Sequence, residues 1–360
     1  MARKLEDQVN VEAPSGDFPF GRIKNDTGAS DGTPVDENLY GDIHQFFVKL
    51  LNAAGLIANG IPDNTTNTFQ LFDALDKFIF TPIKQLHGLF NERLAGEDFG
   101  SGALTLPNTV WIEGTKAYVV DTTKAEIIVF DVLTGANLPG ENFGSGALTE
   151  PIGIFIIGNK AYVTDLSQAE VVVFDIAAKV NIPGEDFGFG VLTLPNGIAI
   201  VGNKAYVVDR GVDEVFAFNI ITQAALPLEN FGSGDLSDPV DIFIVGNKAY
   251  VVDLTQKEVV VFDIAAARDL AAENFGSTVL TQPISIWIVG NKAYIGDNVD
   301  EKIYVFDRTN GQYLDEEDFG IGFLAGGPGG IFMKDNKAYI ANPGSGKISI
   351  FKQNLLLNHI

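Results

Sequence analysis

From residue 97 to residue 360 the apolar and polar positions recur with a period of 44. Phe99, Phe143, Phe187, Phe231, Phe275 and Phe319 mark the period, each followed by glycine, and the register slips by one inserted residue only in the sixth unit. A polar loop leads from each Phe-Gly to a proline (Pro107, Pro151, Pro195, Pro239, Pro283, Pro328) and then to a short apolar run such as Ile154-Phe-Ile-Ile157. A Gly-Asn pair, Gly158-Asn159 in the second unit, separates that run from a second one, which reads Lys-Ala-Tyr-Val-Val-Asp at 204–209 in the third unit. Gly-Asn between two apolar runs predicts a tight β-hairpin, because both residues tolerate the positive φ such turns require. A polar turn and a third run follow, Val-Val-Val-Phe-Asp at 171–175 in the second unit, and the Pro- and Gly-containing stretch into the next Phe-Gly predicts a weaker outer strand.

Three firm strands and one weaker strand fill each unit and leave no room for a helix. Four short antiparallel strands per 40 to 50 residues, repeated in sequence, predict a mainly β chain. Six units predict a six-bladed β-propeller over residues 94–360. The middle strands are apolar on both faces, as stacked sheets require, so the recurring Tyr and Phe and the matched pair Trp111 and Trp287 are assigned to the core between blades. Residues 95–100 carry the outer-strand signature ahead of the first inner strand, while the sixth unit runs through 348–351 without another Phe-Gly. The outer strand of the last blade is therefore expected from residues 95–100, which hides an edge that would invite aggregation.

Residues 1–90 do not share the period and are expected to form a separate attachment module. An arm rich in Gly, Pro, Asp, Ser and Asn reaches to about residue 32, and two helices are expected at about 35–54 and 68–80. Thr33-Pro-Val-Asp36 supplies a cap, a first-turn proline and acids at the positive end of the first helix. An apolar stripe at Leu39, Ile43, Phe46, Phe47, Leu50 and Leu51 follows. The second helix carries Phe69, Leu71, Phe72, Leu75 and Phe78. Two helices with this much apolar surface need something to pack on, and Phe46, Phe47, Leu50, Phe69 and Phe72 are the candidate attachment interface.

Composition narrows the chemistry. The chain is 46% hydrophobic with 27 Phe, which marks it as globular. Its net charge of −23 repels phosphate backbones and anionic membranes, so neither a nucleic acid nor a membrane is an expected partner. No apolar run approaches the ~18 residues of a span, and the first residues lack the apolar segment of a secretory signal. With no cysteine, disulfides, thiolate metal sites and Cys nucleophiles are excluded. His44, His87 and His359 all fall outside the blades, which removes His-based triads and His-ligated metals from the ring. Calcium-loop spacing, G-x-S-x-G, phosphate loops and zinc-ligand clusters are missing as well. The expectation is no catalytic residue, no metal and no cofactor, hence not an enzyme.

The aspartates at 121, 165, 209, 253 and 297, with Asn342 in the sixth unit, end the second run and are read as acceptors of turn N–H groups. Asp131, Asp175, Asp263 and Asp307, with Asn219, are read likewise, and the lysines after each hairpin (Lys116, Lys160, Lys204, Lys248, Lys292, Lys337) as solvated charges. In a near-symmetric ring a binding site must show as a departure from the repeat. The position two after the proline reads Thr109, Gly153, Gly197, Asp241, Ser285, Gly330, and the position after the repeated Asp reads Thr122, Leu166, Arg210, Leu254, Asn298, Pro343. Asp241 and Arg210 are the only charges in these columns, come from adjacent units, and with Ser285 form the candidate ligand site, either as a polar handle or as a salt bridge.

The run of Phe-Gly, Pro-x-Gly-Ile, Asn-Lys-Ala-Tyr-Val-Val-Asp and Val-Val-Val-Phe-Asp resembles the NHL-repeat propellers over the whole repeat region. That resemblance implies the fold; such propellers serve protein binding, nucleic-acid binding and catalysis alike. The segment from Phe20-Gly-Arg-Ile through Asp31-Gly-Thr-Pro-Val-Asp-Glu, Gly41-Asp-Ile-His-Gln-Phe-Phe and Gly60-Ile-Pro-Asp-Asn64 to Phe69-Gln-Leu-Phe-Asp-Ala-Leu75 resembles N-terminal modules of tail fibres and other virion appendage proteins of tailed bacteriophages. This second resemblance implies a virion structural protein, assembled in the host cytoplasm and acting outside the cell. Its module would anchor to the tail or another appendage, and the propeller would contact other virion proteins, a host-surface glycan or protein, or further copies of the chain in a homo-oligomer. The alternative is a non-viral, NHL-like protein-interaction scaffold. A propeller hydrolase or lyase is the third reading, opposed by the missing histidines and the near-identity of the blades.

Overall fold

The computed structural model describes residues 93–352 together with two short strands nearer the N-terminus. The chain divides into two compact units, Met1–Leu86 and His87–Ile360. In the first unit Val11–Glu12 pairs antiparallel with Arg22–Ile23. The helices expected at 35–54 and 68–80, with Phe46, Phe47, Leu50, Phe69 and Phe72, lie outside the described residues, as does 353–360.

The second unit consists of six similar antiparallel sheets of three or four strands, one per sequence repeat, an arrangement consistent with a propeller-like repeat domain. Each opens with an inner strand: Pro107–Glu113, Pro151–Ile157, Pro195–Val201, Pro239–Val245, Pro283–Val289 and Ile331–Lys334. A two-residue turn returns the chain along the middle strand, Lys160–Asp165 in the second repeat, and a polar turn leads to the third, Glu170–Asp175. In the hairpin only the glycine takes a positive φ, 61° at Gly158, the sign pattern of a type II′ turn. The sixth repeat has Asp335-Asn336 there, and both residues take the positive φ expected for the whole set.

Burial follows from stacking. Every middle strand is buried along five of its six positions, on both faces. The marker phenylalanines hold successive repeats together: Phe143 bridges Ile127 of the first repeat and packs its ring 5.2 Å from Phe174 of the second. Phe187, Phe231 and Phe275 repeat the arrangement, with ring separations of 5.1, 4.9 and 5.3 Å. Inner strands contact one another in chain order, and the sixth meets the first.

The fourth strand differs from the continuous outer strand expected. It is reduced to two short pairings, such as Val180–Asn181 and the bridge at Phe187. A single 3-10 turn separates the pairings in four repeats, for instance Pro139–Glu141 and Pro227–Glu229. The chain bulges away there, and a side chain replaces the missing carbonyl. Asn142, Asp186, Asn230, Asn274 and Asp318, each just before a marker Phe, accept the backbone N–H of Val129, Val173, Ala217, Val261 and Val305 at 2.7 to 3.1 Å.

The same contacts join the two ends of the repeat region. Phe99 bridges Ile348, Arg93 lies opposite Phe351, and Asp98 accepts the N–H of Ile350 at 3.0 Å. The Phe99 ring packs 5.1 Å from Phe130, the geometry of every other junction.

Candidate functional site: the cavity between the inner strands

Inner strands start, and middle strands finish, at the same end of each sheet, so the prolines, the repeated aspartates and the Phe-Gly loops gather there. The aspartates are fully buried and committed to that architecture. Asp165 accepts N–H groups from Thr149, Glu150 and Gln168, and Asp209 from Thr193, Leu194 and Gly211, at 2.6 to 3.2 Å. Each carboxylate ties the loop before its inner strand to the turn after its middle strand. Asn342, in their place in the sixth repeat, donates to Phe323 O at 2.9 Å, and its own amide oxygen finds no donor. Past the third strand Asp131 and Asp307 cap exposed turns, and hydrogen bonds from Thr134 and Thr309 hold both below the usual carboxylate range.

At this end a cavity of about 550 Å³ opens between the inner strands and draws lining residues from all six repeats. Two rings of side chains shape it. Nearer the mouth lies the column of Thr109, Gly153, Gly197, Asp241, Ser285 and Gly330. Two residues further along each strand, and so on the same side, lies the column of Trp111, Phe155, Ala199, Phe243 and Trp287, which line the cavity, with Phe332, which is buried and packs against the two tryptophans.

The second column is an aromatic layer. Ring centroids lie 4.6 Å apart for Trp111 and Phe155, 5.1 Å for Trp111 and Phe332, 4.4 Å for Trp287 and Phe332, and 5.0 Å for Phe243 and Trp287. Ala199 interrupts the layer, and beside it the cavity wall extends to Val201. Trp111 and Trp287, assigned from sequence to the core between blades, pack against the buried clusters of neighbouring repeats and, half-buried, also wall the cavity. Their signal in the sequence was the two-residue alternation that places them on the side of Thr109 and Ser285. The indole N–H of Trp111 is buried and has no acceptor.

In the first column hydroxyls staple one repeat to the next. Thr109 Oγ1 donates to Ile152 O, and Ser285 Oγ donates to Gly329 O, both at 2.8 Å. Asp241 makes the corresponding link with opposite polarity: Oδ2 accepts the N–H of Ile286 and Oδ1 that of Ile242, both at 2.9 Å. Gly197 makes room for it, since a Cβ there would stand 2.7 Å from Asp241 Cα and Oδ1. The carboxyl is half-buried in the cavity wall, and desolvation, opposed by these two hydrogen bonds, pushes its pKa up to about 7.

Arg210, Asp241 and Ser285 therefore line one cavity, but Arg210 and Asp241 are not an ion pair. The guanidinium of Arg210 is engaged by Asp238, with Nε–Oδ1 at 2.7 Å and Nη2–Oδ2 at 3.1 Å. Column membership alone hid this partner, which lies in the loop before the inner strand. The lysines after the hairpins also have partners. Lys116, Lys204 and Lys292 pair with Glu141, Glu229 and Glu317, and Lys337 pairs with Glu97 across the junction of first and last repeats.

On the loop surface the third repeat exposes large apolar side chains, as the sixth does at Ile321 and Phe323. Phe189 stands 80% exposed where four repeats have serine, and Val191, Leu194 and Val212 are exposed close by in sequence and in the facing turn. At the position of Val212, Gln168 and Gln256 reach back to loop carbonyls of Ala147 and Asp235 at 2.7 Å, and Lys124 does the same to Ala103. Valine makes no such bond. Among the described residues no group of three or more acidic or histidine side chains is placed to hold a metal. No helix among them is long and apolar enough to cross a membrane.

No protein-family model and no curated protein matches the sequence. Among solved structures 882 chains match, which marks a widely used fold. One is the computationally designed Ika8 protein, 12% identical, with 71% of this chain and 98% of that one covered and a TM-score of 0.47. Another is a chain of a nidogen/laminin complex, 14% identical, with 60% and 81% covered and a TM-score of 0.52. At such identities the second likeness concerns the fold alone.

Proposed function

We propose that the repeat domain is a closed six-bladed β-propeller of the NHL-like kind that serves as a non-enzymatic protein-interaction scaffold. Its contact face is the loop surface of the third repeat. The partner is a protein that offers an apolar contact inside a basic rim, complementary to a chain of net charge −23. One observation carries this reading: Phe189, Val191, Leu194 and Val212 stand exposed on the loops of the third repeat, Phe189 where four repeats carry serine and Val212 where three carry a polar side chain bonded back onto the loop.

Affinity capture with the full chain tests it. Phe189→Ser restores the commonest residue of the column and is expected to lose a defined partner, whereas Leu228→Ser, 95% exposed on the outer part of the same repeat, keeps it. Capture of the same proteins by wild type and Phe189→Ser would sink the reading.

A more specific version attaches the chain to a phage particle through residues 20–75 and places the propeller against virion or host-surface partners. It is motivated by the sequence resemblance of that segment. Antibody against residues 100–350 should decorate purified particles under the electron microscope, and bare particles beside free protein in the lysate would remove it.

A further inference from the structure

The cavity has a chemistry that the contact face does not use. Three ionisable side chains line it: Glu150, Arg210 and Asp241. Arg210 is neutralised by Asp238, and Glu150 at the rim accepts a hydrogen bond from Ser167. Asp241 lies deeper. Its two hydrogen bonds come from neutral backbone groups, and among the described residues no cation pairs with it. Its carboxylate thus faces the cavity, partly desolvated and without a counter-ion, which is costly. Just beyond lies the aromatic layer, and four of its rings, Trp111, Phe155, Phe243 and Trp287, keep part of their surface open. Ring faces attract cations, most strongly where water is excluded.

A negative group above and π-faces below select a positive ligand with an apolar surface. An anion would meet Asp241 and the strongly acidic surface. A neutral sugar would leave the carboxylate without its counter-charge. A hydrated metal ion would find Asp241 and, at the rim, Glu150, short of the three ligands that a metal site gathers. The volume of about 550 Å³ suits a small molecule. The gap at Ala199 gives a substituent somewhere to go. We propose that the cavity binds an organic ammonium ion, its alkylated nitrogen resting on the aromatic layer and its charge paired with Asp241.

The protein carries its own reporter, because its two tryptophans, Trp111 and Trp287, both line the cavity. Fluorescence of the full chain is titrated with choline, with the uncharged isostere 3,3-dimethyl-1-butanol, and with acetate. Choline is expected to give a saturable change, with the isostere and acetate at least about tenfold weaker. Asp241→Asn should weaken choline by about tenfold or more, while Arg210→Ala, which removes a cation from the cavity wall and frees Asp238, should tighten it. If Asp241→Asn fails to fold by circular dichroism, Ala199→Phe, which fills the gap without altering charge, is expected to reduce choline binding. No saturable signal with choline, equal affinity for the isostere, tighter binding of acetate, or indifference to the folded cavity variant would overturn the proposal. Phe189→Ser should leave the titration unchanged, so this site and the protein-contact face fail or stand separately.

Discussion

Asp253 and Asp241 belong to adjacent strands of one sheet, with Asp241 opposite Val252 in the register, and they are treated in opposite ways. Asp253 is fully buried and receives N–H groups from Ser237, Asp238 and Gln256 at 2.7 to 3.3 Å, which offset its desolvation. Asp241 receives two, from a neighbour in sequence and from the next repeat, and its remaining surroundings are a cavity and aromatic rings. The first aspartate recurs in five repeats and the second occurs once. A buried charge that the backbone fully engages is part of the frame; a half-buried charge left partly unengaged is available to something else.

The sharpest way to break that comparison is Asp253→Ala. It strands three N–H groups and should cost about 3 to 5 kcal/mol in denaturant unfolding. Asp253→Asn should cost less, since the sixth repeat accommodates Asn342 in this column; equal losses would mean that charge, and not hydrogen bonding, is what matters. Gly197→Ala comes next, because its Cβ meets Asp241 Cα at 2.7 Å and backbone must shift, for about 1 to 3 kcal/mol. A stability unchanged by that alanine would show the contact to be slack.

Asp241→Asn gives a pH signature. The folded-state pKa of about 7 lies above the unfolded one, so the contribution of this group is fully present below pH ~4 and is lost as the pH rises through 7. Between pH 4.5 and 8 wild type should lose roughly 2 kcal/mol relative to the asparagine variant, after discounting for solvent in the cavity. Glu150 and the Arg210–Asp238 pair face the same cavity in both proteins and cancel in the difference. Parallel pH profiles would show that the carboxyl is better solvated than its position implies. The smallest effect is expected for Lys204→Ala, whose exposed pair with Glu229 is worth about 0.5 kcal/mol at low salt and less at high salt. A cost above that of Gly197→Ala would reverse the order of frame and surface.

How far the chain could be read without coordinates depended on what repeats. The inner, middle and third strands follow from alternation and turn residues that recur six times, and the burial of the repeated aspartates follows from their place at a strand end. The outer strand was legible as a position but not as a broken one, because Asn142 or Asp186 looks like an ordinary turn residue until its side chain is seen to replace a carbonyl. Within the cavity the columns could be read off and their reach could not. Arg210 spans to Asp238, three residues from Asp241, a choice made by loop geometry. Trp111 and Trp287 belong to a strand whose two sides, one toward a neighbouring repeat and one toward the cavity, are equally apolar, so pattern alone does not tell them apart.

The junction at Phe99 and Ile348 has a consequence for synthesis. Asp98 and Ile350 are bonded although 252 positions apart, so the latch leaves the ribosome long before its seat exists. At about 5 to 20 residues per second the delay is roughly 13 to 50 s. Throughout it Phe99 and its flanks form an unpaired strand, and the third strand of a nascent neighbouring chain offers the same docking edge. Chains translated close together on one message are thus the setting in which this fold is most exposed to exchanging latches.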